Sequence, residues 1–356
     1  MKLLIVASSL QIGGEQRVLS ILTNSFVKKD IDVTIYSLTR KPEKQFVFND
    51  RVRIIYNDNS DNGIKNFKRI KKIRKLITEN EYDVVLGFAM IPSVLCSFAA
   101  FGKCPVIVTE RNDPRVYSNK MKIIRYVAYH LCNKGIFQTN DAAEYFPFIK
   151  NKVIISNPLN MEVLPEVYQG ERDKRIVNTS RLVPEKNQAM LVRAFASLHK
   201  KYPEYRLAFY GDGPEKNELL ALGKELGIEN KMEIYPATNK VLNIIKKDSI
   251  FVLTSNHEGF PNSLAEALAL GIPSISTDCR IGGPKEMIDS GKNGLLFPVG
   301  DTTALTSKLD ELMGSSELQN KFTRESQCIR EKLSDDLISD RWIEEIKKVV
   351  RIDKVS

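Results

Sequence analysis

The sequence predicts an α/β protein built from two parallel-sheet domains. At 356 residues the chain exceeds what one hydrophobic core usually supports, so two domains are expected. Short apolar runs alternate with amphipathic stretches almost throughout, which is the pattern of parallel strands covered by helices. The alternation pauses once, where Pro158, Pro165 and Gly170 indicate a linker. The predicted domains cover residues 1–160 and 161–330, and a helical tail at residues 331–356 is expected to pack back toward the first domain.

Each strand is predicted from a short apolar, β-prone run, and each helix from amphipathic spacing between two such runs. In the first domain the predicted strands are residues 2–7, 32–37, 52–56, 84–88, 106–109, 135–139 and 153–155. In the second domain they are residues 175–179, 205–210, 232–235, 249–253, 274–276 and 294–297. Helices of the second domain are predicted at residues 186–199, 215–226, 239–246, 263–270 and 302–313, with a short one near Glu286.

Several features favour a cytoplasmic protein without a membrane span. Residues 84–102 carry no charge, but Pro92 and Ser93 interrupt them, so a strand and a buried helix are predicted there. The five cysteines lack CxxC spacing, which predicts reduced thiols and neither disulfides nor a zinc site. No signal peptide is expected, because residues 2–7 read as a strand and residues 8–14 as a turn.

Positive charge is concentrated in the first half of the chain. Residues 1–160 hold 25 Lys and Arg against 14 Asp and Glu, whereas the remainder holds 28 against 30. This asymmetry favours an acidic partner for the first domain, such as an anionic lipid surface, a phosphorylated acceptor or nucleic acid. Nucleic acid is not expected, because no recognised binding module or exposed aromatic platform accompanies the charge.

Two carboxylates stand out within residues 255–271. Glu258 lies in a predicted strand-to-helix turn and Glu266 in the helix that follows, which Asn262 is predicted to cap at its start and Gly271 at its end. A helix N-terminus at the carboxyl end of a parallel strand binds anions. A carboxylate beside it fits a ligand that also carries hydroxyl groups, and a sugar linked to a diphosphate has both.

Other loops of the second domain place charged groups near these carboxylates. Arg181 and Lys186 follow its first predicted strand, a Gly-Asp-Gly-Pro turn at residues 211–214 follows the second, and Glu258 and Glu266 follow the fourth. Because loops at the carboxyl ends of parallel strands line the ligand crevice of an open α/β sheet, these groups are expected to converge.

The ordered motifs of the chain resemble those of nucleotide-sugar glycosyltransferases, specifically the retaining family-4 type (glycosyl transferases group 1). The motifs are Gly13-Gly-x-x-Arg17, Thr109-Glu-Arg-Asn112, Arg181-Leu-x-x-Glu-Lys-Asn187, Gly211-Asp-Gly-Pro214, Glu258-Gly-Phe-Pro-Asn-Ser-Leu-Ala-Glu266, Gly282-Gly-Pro-Lys-Glu286, Asn293-Gly294 and Gly300-Asp301. Each is weakly specific alone, whereas the ordered set is strongly specific. The resemblance implies the GT-B fold, in which two Rossmann-like domains face a central cleft, the first binding the acceptor and the second the nucleotide-sugar.

The resemblance also implies which residues bind the donor and which are catalytic. Arg181, Lys186 and Glu258 would be catalytic: the two cations hold the diphosphate, and the carboxylate binds hydroxyls of the transferred sugar. A leaving nucleoside diphosphate gains negative charge, which fixed cations and a helix N-terminus stabilise most in the transition state. Further donor contacts would come from Glu266 to the ribose, from Gly14 of the first domain to the diphosphate, from Pro236 near the base, and from the backbone around Gly259, Phe260, Pro261 and Asn262.

Two departures from the family pattern stand out. Arg111 occupies a position where many relatives carry a histidine, and a guanidinium is neither a base nor a neutral acceptor near pH 7. Arg111 or Asn112 is instead a candidate contact for the acceptor or a phosphate. A glycine common after the third strand of the nucleotide domain is also missing, so base recognition by the backbone around Pro236 and Ala237 is left open.

A basic segment of the first domain, residues 65–75, bears on the acceptor. It holds seven Lys and Arg, interrupted at helical spacing by Phe67, Ile70 and Ile73. One interpretation is a solvated helix that packs its apolar stripe on the sheet. The other is a cationic face for a diphosphate-linked lipid or anionic headgroups, with the candidate contacts Lys68, Arg69 and Lys72.

A second segment, residues 118–134, also mixes basic and apolar side chains as interfacial helices do. Its basic members are Lys120, Lys122, Arg125 and Lys134, and its apolar members are Ile124, Val127 and Leu131.

These features predict a peripheral enzyme on the inner face of the cell membrane. It would move a hexose or N-acetylhexosamine from a nucleotide-sugar, UDP-linked as first guess, to a lipid-diphosphate-linked saccharide in bacterial surface-glycan assembly. The family implies retention of configuration, and front-face attack on an oxocarbenium-like species is favoured, because no carboxylate pair is expected to straddle the bond as in retaining hydrolases. No cofactor or metal is expected, since the only Asp-x-Asp triplet, Asp30-Ile-Asp32, lies in a predicted turn.

Two alternative functions stay open. A sugar-nucleotide epimerase of similar architecture would work without an acceptor, and a non-catalytic nucleotide-binding scaffold could keep the fold. A dinucleotide-dependent oxidoreductase is not expected, because residues 8–14 lack a complete G-x-G-x-x-G.

Overall fold

The structure, a computed structural model, describes residues 1–57 and 65–353, except for the side chains of residues 65, 352 and 353. It divides into two compact units, Met1–Asn160 with Leu333–Ser356, and Met161–Lys332. The strands of the first unit are β1 (Lys2–Ala7), β2 (Asp32–Ser37), β3 (Arg53–Tyr56), β4 (Val84–Phe88), β5 (Val106–Thr109), β6 (Lys134–Phe137) and β7 (Lys152–Ile154). Its helices are α1 (Gly14–Lys28), α2 (Lys65–Asn80), α3 (Met90–Ala100), α4 (Asn119–Tyr129), α5 (Asn140–Glu144) and the C-terminal helix α14 (Asp335–Asp353).

The seven strands of the first unit form one parallel sheet in the order β3-β2-β1-β4-β5-β6-β7. Strand β1 lies inside the sheet, where Ile5 pairs with Ile35 of β2 on one side and with Leu86 of β4 on the other. These three side chains are at most 1% exposed. An almost continuous apolar run is expected for a parallel strand that is covered on both faces.

The C-terminal helix α14 packs in the first unit against α1 and β4. Trp342 is 1% exposed, and Asp340 pairs with Lys29 of α1 at 2.6 Å. At the start of this segment the Leu159 N–H donates to the Leu333 carbonyl at 2.7 Å.

The second unit repeats the architecture with six parallel strands. They are β8 (Asp173–Thr179), β9 (Arg206–Tyr210), β10 (Met232–Tyr235), β11 (Asp248–Leu253), β12 (Ser274–Thr277) and β13 (Leu295–Phe297). Its helices are α6 (Gln188–Leu198), α7 (Lys216–Glu225), α8 (Val241–Ile245), α9 (Asn262–Ala269), α10 (Gly283–Met287), α11 (Thr302–Met313), α12 (Ser316–Ser326) and α13 (Ile329–Lys332).

The strand order of this second sheet is β10-β9-β8-β11-β12-β13. After β8 the chain builds one half of the sheet outward, and it then returns to place β11 on the other side of β8. The connections that leave β8 and β11 therefore run in opposite directions, which opens a crevice at the carboxyl ends of these two strands. Ligands of open α/β sheets bind in this crevice.

The predicted fold class is confirmed, because both sheets are parallel and covered by helices. One predicted helix, residues 186–199, is wrong at its start. Residues Pro184–Lys186 instead form a 3₁₀ turn, Asn187 has the left-handed φ of 47°, and α6 begins only at Gln188. This break holds Lys186 in a tight loop rather than on a helix. No helix in the described ranges is long and apolar enough to cross a membrane.

Candidate active site

The centre of the candidate site is a contact between the loops that follow β8 and β11. The Lys186 ammonium donates to Oε1 of Glu258, and the Ser255 hydroxyl donates to the same oxygen at 2.7 Å. The side chains of Lys186 and Glu258 are 19% and 13% exposed, so both charges are partly removed from water. The structure thus brings together two of the predicted catalytic residues, and it adds Ser255, which the sequence analysis missed.

Backbone contacts lock the two loops together. The Thr254 hydroxyl donates to the Lys186 carbonyl at 2.8 Å, and the Asn256 N–H donates to the Glu185 carbonyl at 2.8 Å. In addition, the Asn187 amide donates to Oδ1 of Asn256 at 3.1 Å. Because one of these bonds joins the two main chains and another ends on the Lys186 carbonyl, the position of the Lys186 backbone relative to β11 is set by the fold.

The Gly-Asp-Gly-Pro turn supports the loop that carries Arg181. A Cβ atom at Gly211 would lie 1.9 Å from the Ser180 carbonyl oxygen, and one at Gly213 would lie 2.1 Å from that of Leu182. The Leu182 N–H donates to the Asp212 carbonyl at 2.9 Å. Glycine is required at both positions because the two loops touch through their backbones.

Helix α9 presents its N-terminus to the same crevice. Gly259 to Pro261 are buried, and the N-cap residue is Pro261, with no side-chain cap. The prediction that Asn262 caps the helix is therefore wrong: it is the first helical residue, because the extended Pro261 already ends the turn. The N–H groups of the first turn have no acceptor within a helix, so this end of α9 suits an anion.

Two further contacts fix the α9 turn. A Cβ atom at Gly283 would lie 2.2 Å from the Gly259 carbonyl oxygen, so α10 packs directly on the turn. On the other side, the Thr277 hydroxyl and the Cys279 thiol donate to the Ser255 carbonyl at 2.8 and 3.1 Å. Burial raises the pKa of Cys279 to about 12, so this thiol stays protonated and keeps donating.

The remaining donor-site candidates of the second unit take different positions. Arg181 has an exposed side chain at the loop after β8, whereas Glu266 is 7% exposed within α9. Pro236 is exposed after β10. The next N–H, that of Ala237, donates to Oδ2 of Asp212 at 3.0 Å, so it is already engaged and is a poor candidate for reading a base.

Three candidates lie in the first unit. Gly14 is the first residue of α1, directly after the loop that follows β1, and Asn112 is exposed after β5. Arg111 is partly buried, with its guanidinium carbon 4.2 Å from the ring centroid of Phe88. This contact and the burial of its Nη2 atom show that the Arg111 guanidinium is not fully solvated.

The basic helix α2 packs on the sheet with one part of its apolar stripe and also exposes basic side chains, so it fits both interpretations of its sequence. Ile73 is fully buried against the rest of the unit, whereas Phe67 is 56% exposed, so the predicted apolar stripe is interrupted at its N-terminal end. Lys68 and Lys72 are exposed, but the Arg69 guanidinium donates to the Leu38 carbonyl at 3.2 Å. The side chain of Lys65 lies outside the described residues.

The expectation that Arg125 and Lys134 face a membrane is wrong. Arg125 is 2% exposed and pairs with Glu110 at 3.1 Å, and Lys134 lies in β6 and pairs with Glu345 of α14. Their partners come from other elements, which a reading of one helix does not reveal. The exposed apolar residues of α4 are Ile123, Tyr126 and Val127, on the side of the helix opposite Arg125.

Comparison with known proteins agrees with this geometry. The family model described as Glycosyltransferase Family 4 matches residues 12–159, and the one described as Glycosyl transferases group 1 matches residues 161–327. The chain belongs to the group 1 glycosyltransferases. The predicted family is thereby confirmed over both units.

Relatives of this glycosyltransferase are similar along nearly their whole length. An amylovoran biosynthesis glycosyltransferase, AmsD, from Erwinia amylovora is 25% identical over 96% of this chain and 98% of its own. A Campylobacter jejuni α-1,4-N-acetyl-D-galactosaminyltransferase, named for an acceptor linked to undecaprenol through PP, is 25% identical over 98% and 99% of the two chains. These names place the relatives in bacterial polysaccharide and lipid-linked glycan assembly.

The glycosyltransferase also shares its fold with solved structures. The Anabaena protein HepE, crystallised in complex with UDP, superposes with a TM-score of 0.81 at 17% identity, over 98% of this chain and 100% of that one. This likeness confirms the GT-B fold class, in which two parallel-sheet units follow one another along the chain.

Proposed function

We propose that this glycosyltransferase moves a hexose or N-acetylhexosamine from a UDP-sugar to a lipid-diphosphate-linked saccharide, with retention of anomeric configuration. The observation that carries the proposal is the contact of Lys186 with Glu258 beside the N-terminus of α9. Cation, carboxylate and helix end meet at the point where an open α/β sheet binds its ligand. A nucleotide-sugar needs all three, because it offers phosphates and hydroxyls side by side.

The pairing explains how a carboxylate can lie next to an anion site. An isolated Glu258 carboxylate would repel an incoming diphosphate, and at close range in a partly buried site such repulsion is strong. Lys186 neutralises this charge in the described structure, and Ser255 holds the carboxylate from the other side. Glu258 can then bind hydroxyls of the transferred sugar while Lys186 turns one of its three N–H donors toward the phosphates.

The chemical step draws on the same groups. As the bond between the anomeric carbon and the phosphate oxygen breaks, negative charge grows on the leaving diphosphate. The Arg181 guanidinium, the Lys186 ammonium and the first turn of α9 stabilise that charge more in the transition state than in the bound substrate. Glu266 binds the ribose hydroxyls and so contributes to donor affinity, and no metal is needed because two side-chain cations are present.

The first unit binds the acceptor and the membrane surface in this proposal. Helices α2, α3 and α4 are neighbours, since α3 contacts both of the others. Helix α2 exposes Phe67 and the basic Lys68 and Lys72, and α4, on the other side of α3, exposes Ile123 and Tyr126. Exposed apolar groups among lysines suit the anionic inner surface of a cell membrane. Two Campylobacter relatives named for undecaprenol-linked acceptors support a lipid-carried substrate.

Labelled UDP-sugars, incubated with the purified protein in the presence and absence of bacterial membrane extract, test the proposal. Transfer of label to lipid only when extract is present is the expected result. Conversion of the sugar without extract would instead show an epimerase, and binding without turnover would show a scaffold. Either of these outcomes would overturn the proposal.

A further inference from the structure

Two partly buried charged residues of the first unit, Glu15 and Arg111, have no role in donor binding as proposed above. Glu15 is the second residue of α1, and Arg111 follows β5. Both lie past the carboxyl ends of their strands, and β4 runs between β1 and β5. The guanidinium of Arg111 rests on Phe88, the last residue of β4, so its plane is fixed by packing.

Each of these side chains has a buried polar atom with nothing to bind. Within residues 1–57 and 65–353, Oε1 of Glu15 and Nη2 of Arg111 make no hydrogen bond. A buried polar group without a hydrogen-bond partner destabilises the protein, and a charged group does so more. Native structures keep such groups rarely, and a ligand that completes the bonds is one reason to keep them.

The two groups are close enough to act on each other. Burial raises the pKa of Glu15 to about 7, and the Arg111 charge opposes that rise. Burial also lowers the pKa of Arg111 to about 10, against the opposing charge of Glu15. Near neutral pH the guanidinium is therefore charged, whereas the carboxyl group is divided between its two forms.

Other titratable groups around this pair do not replace it. Tyr117 interacts with Glu15, but burial raises the pKa of this phenol to about 12, so it stays neutral. Glu110 accepts from Arg125 and from the Tyr129 hydroxyl through Oε1, at 3.1 and 3.0 Å, and this ion pair holds the carboxylate toward α4, although its Oε2 makes no hydrogen bond within the described residues. Helix α14 packs on α1, where its Asp336 and Asp340 pair with Lys29, at the opposite end of α1.

The chemistry of the two unmet atoms selects the ligand. A phosphate would satisfy the guanidinium, but it would be repelled by the ionised carboxylate. An ammonium group would satisfy the carboxylate and be repelled by Arg111. A neutral hydroxyl satisfies both, because it donates one hydrogen bond and accepts another. Sugars are the molecules that carry such hydroxyls at a glycosyltransferase.

We propose that Glu15 and Arg111 form a saccharide subsite of the first unit, in which one acceptor hydroxyl donates to Glu15 Oε1 and accepts from Arg111 Nη2. The assignment to the acceptor rests on the proposed function. Glu15 is then a binding residue that selects the saccharide part of the acceptor, and Arg111 supplies the matching donor.

Acceptor affinity should then depend on pH in a defined direction. The ionised carboxylate accepts a stronger hydrogen bond from the hydroxyl than the neutral carboxyl group does, so binding is strong above the pKa of Glu15 and weakens as the pH falls below it. Between pH 8 and pH 6 the ionised fraction of a group with a pKa near 7 falls on the order of ten-fold. The dissociation constant of the acceptor rises by up to about the same factor.

Binding of two synthetic lipids to the full chain tests this inference. Farnesyl diphosphate linked to N-acetylgalactosamine is the saccharide probe, and farnesyl diphosphate alone is the control lipid. We expect the glycosylated lipid to bind more tightly at pH 8 and to lose about ten-fold in affinity at pH 6, while the control lipid changes little. In Glu15→Gln the preference for the glycosylated lipid and its pH dependence disappear, whereas Glu43→Gln, at an exposed carboxylate of the same unit, behaves as wild type.

Other variants and a donor measurement keep the test decisive. Should Glu15→Gln fail to fold, Glu15→Asp keeps the charge, and it should retain the pH dependence at lower affinity. Equal binding of the two lipids by the wild type, or an unchanged pH profile in Glu15→Gln, would overturn the inference. So would a Glu15 variant that weakens UDP-sugar binding instead. Loss of sugar transfer with pH-dependent lipid binding intact would count against the proposed function and leave this subsite standing.

Discussion

Replacing Glu258 by glutamine separates sugar binding from nucleotide binding. The substitution keeps the size of the side chain and its place beside Ser255, but it removes the charge that pairs with Lys186. If Glu258 binds hydroxyls of the transferred sugar, the loss falls on the sugar. If it served the nucleotide or only the fold, UDP alone would be affected as well.

The magnitude follows from the bonds involved. A hydrogen bond to a charged group contributes roughly 1.5–3 kcal/mol, which corresponds to about 10- to 150-fold in kcat/KM for the UDP-sugar. UDP without a sugar should bind as tightly as to the wild type or more tightly, because Lys186 is released from its partner and can turn fully to the diphosphate. Glu258→Gln is thus expected to affect the two ligands in different directions.

Calorimetric titration with UDP and initial rates with the UDP-sugar measure the two effects. Glu185→Gln is the matched control, since this neighbouring carboxylate is exposed and only its backbone carbonyl takes part in the site. A parallel fall in UDP affinity and in turnover would refute the assignment of Glu258 to the sugar.

Three further predictions follow from other parts of the chain. Glu266→Ala should weaken binding of UDP itself by at least about ten-fold if this buried carboxylate binds the ribose hydroxyls as proposed; unchanged titration with UDP would exclude the ribose role. Ile123→Asn should reduce sedimentation of the protein with vesicles that contain anionic phospholipid while activity on a soluble acceptor analogue persists, and equal sedimentation would remove α4 from the membrane face. Arg125→Met leaves Glu110 buried without its cation and should cost on the order of 3–5 kcal/mol in urea unfolding of the first unit. Because burial already raises the pKa of Glu110 to about 7, this loss should be larger at pH 8 than at pH 5.5, and a destabilisation independent of pH would contradict the ion-pair account.

Much of the fold can be predicted from the sequence because parallel strands are short apolar runs between Gly- and Pro-rich turns. Strands such as Lys2–Ala7 and Val84–Phe88 are predicted to the residue. Helix starts are harder, since the left-handed Asn187 and the extended Pro261 each shift a helix by one or two residues. Such shifts depend on tertiary contacts that local propensity does not contain.

The candidate site shows the same limit. The positions of Glu258 and Lys186 at the sheet edge are predictable, because each follows a strand. Their direct contact is not, because it depends on β11 lying next to β8 although 68 residues separate the bonded Lys186 and Thr254. The burial of Arg125 likewise depends on its ion pair with Glu110, which lies in the loop after β5 and not on α4.

The central claim is that fixed positive charge next to the leaving diphosphate drives transfer. The rate of the chemical step in Arg181→Ala tests this claim most directly. Single-turnover transfer is measured with the enzyme in excess over a limiting, fully bound labelled UDP-sugar and with the lipid acceptor saturating, beside the affinity for the UDP-sugar. The account predicts a fall of roughly 100-fold or more in the single-turnover rate with a much smaller change in donor affinity, as for the loss of a group that acts mainly on the transition state. A single-turnover rate equal to that of the wild type would contradict it.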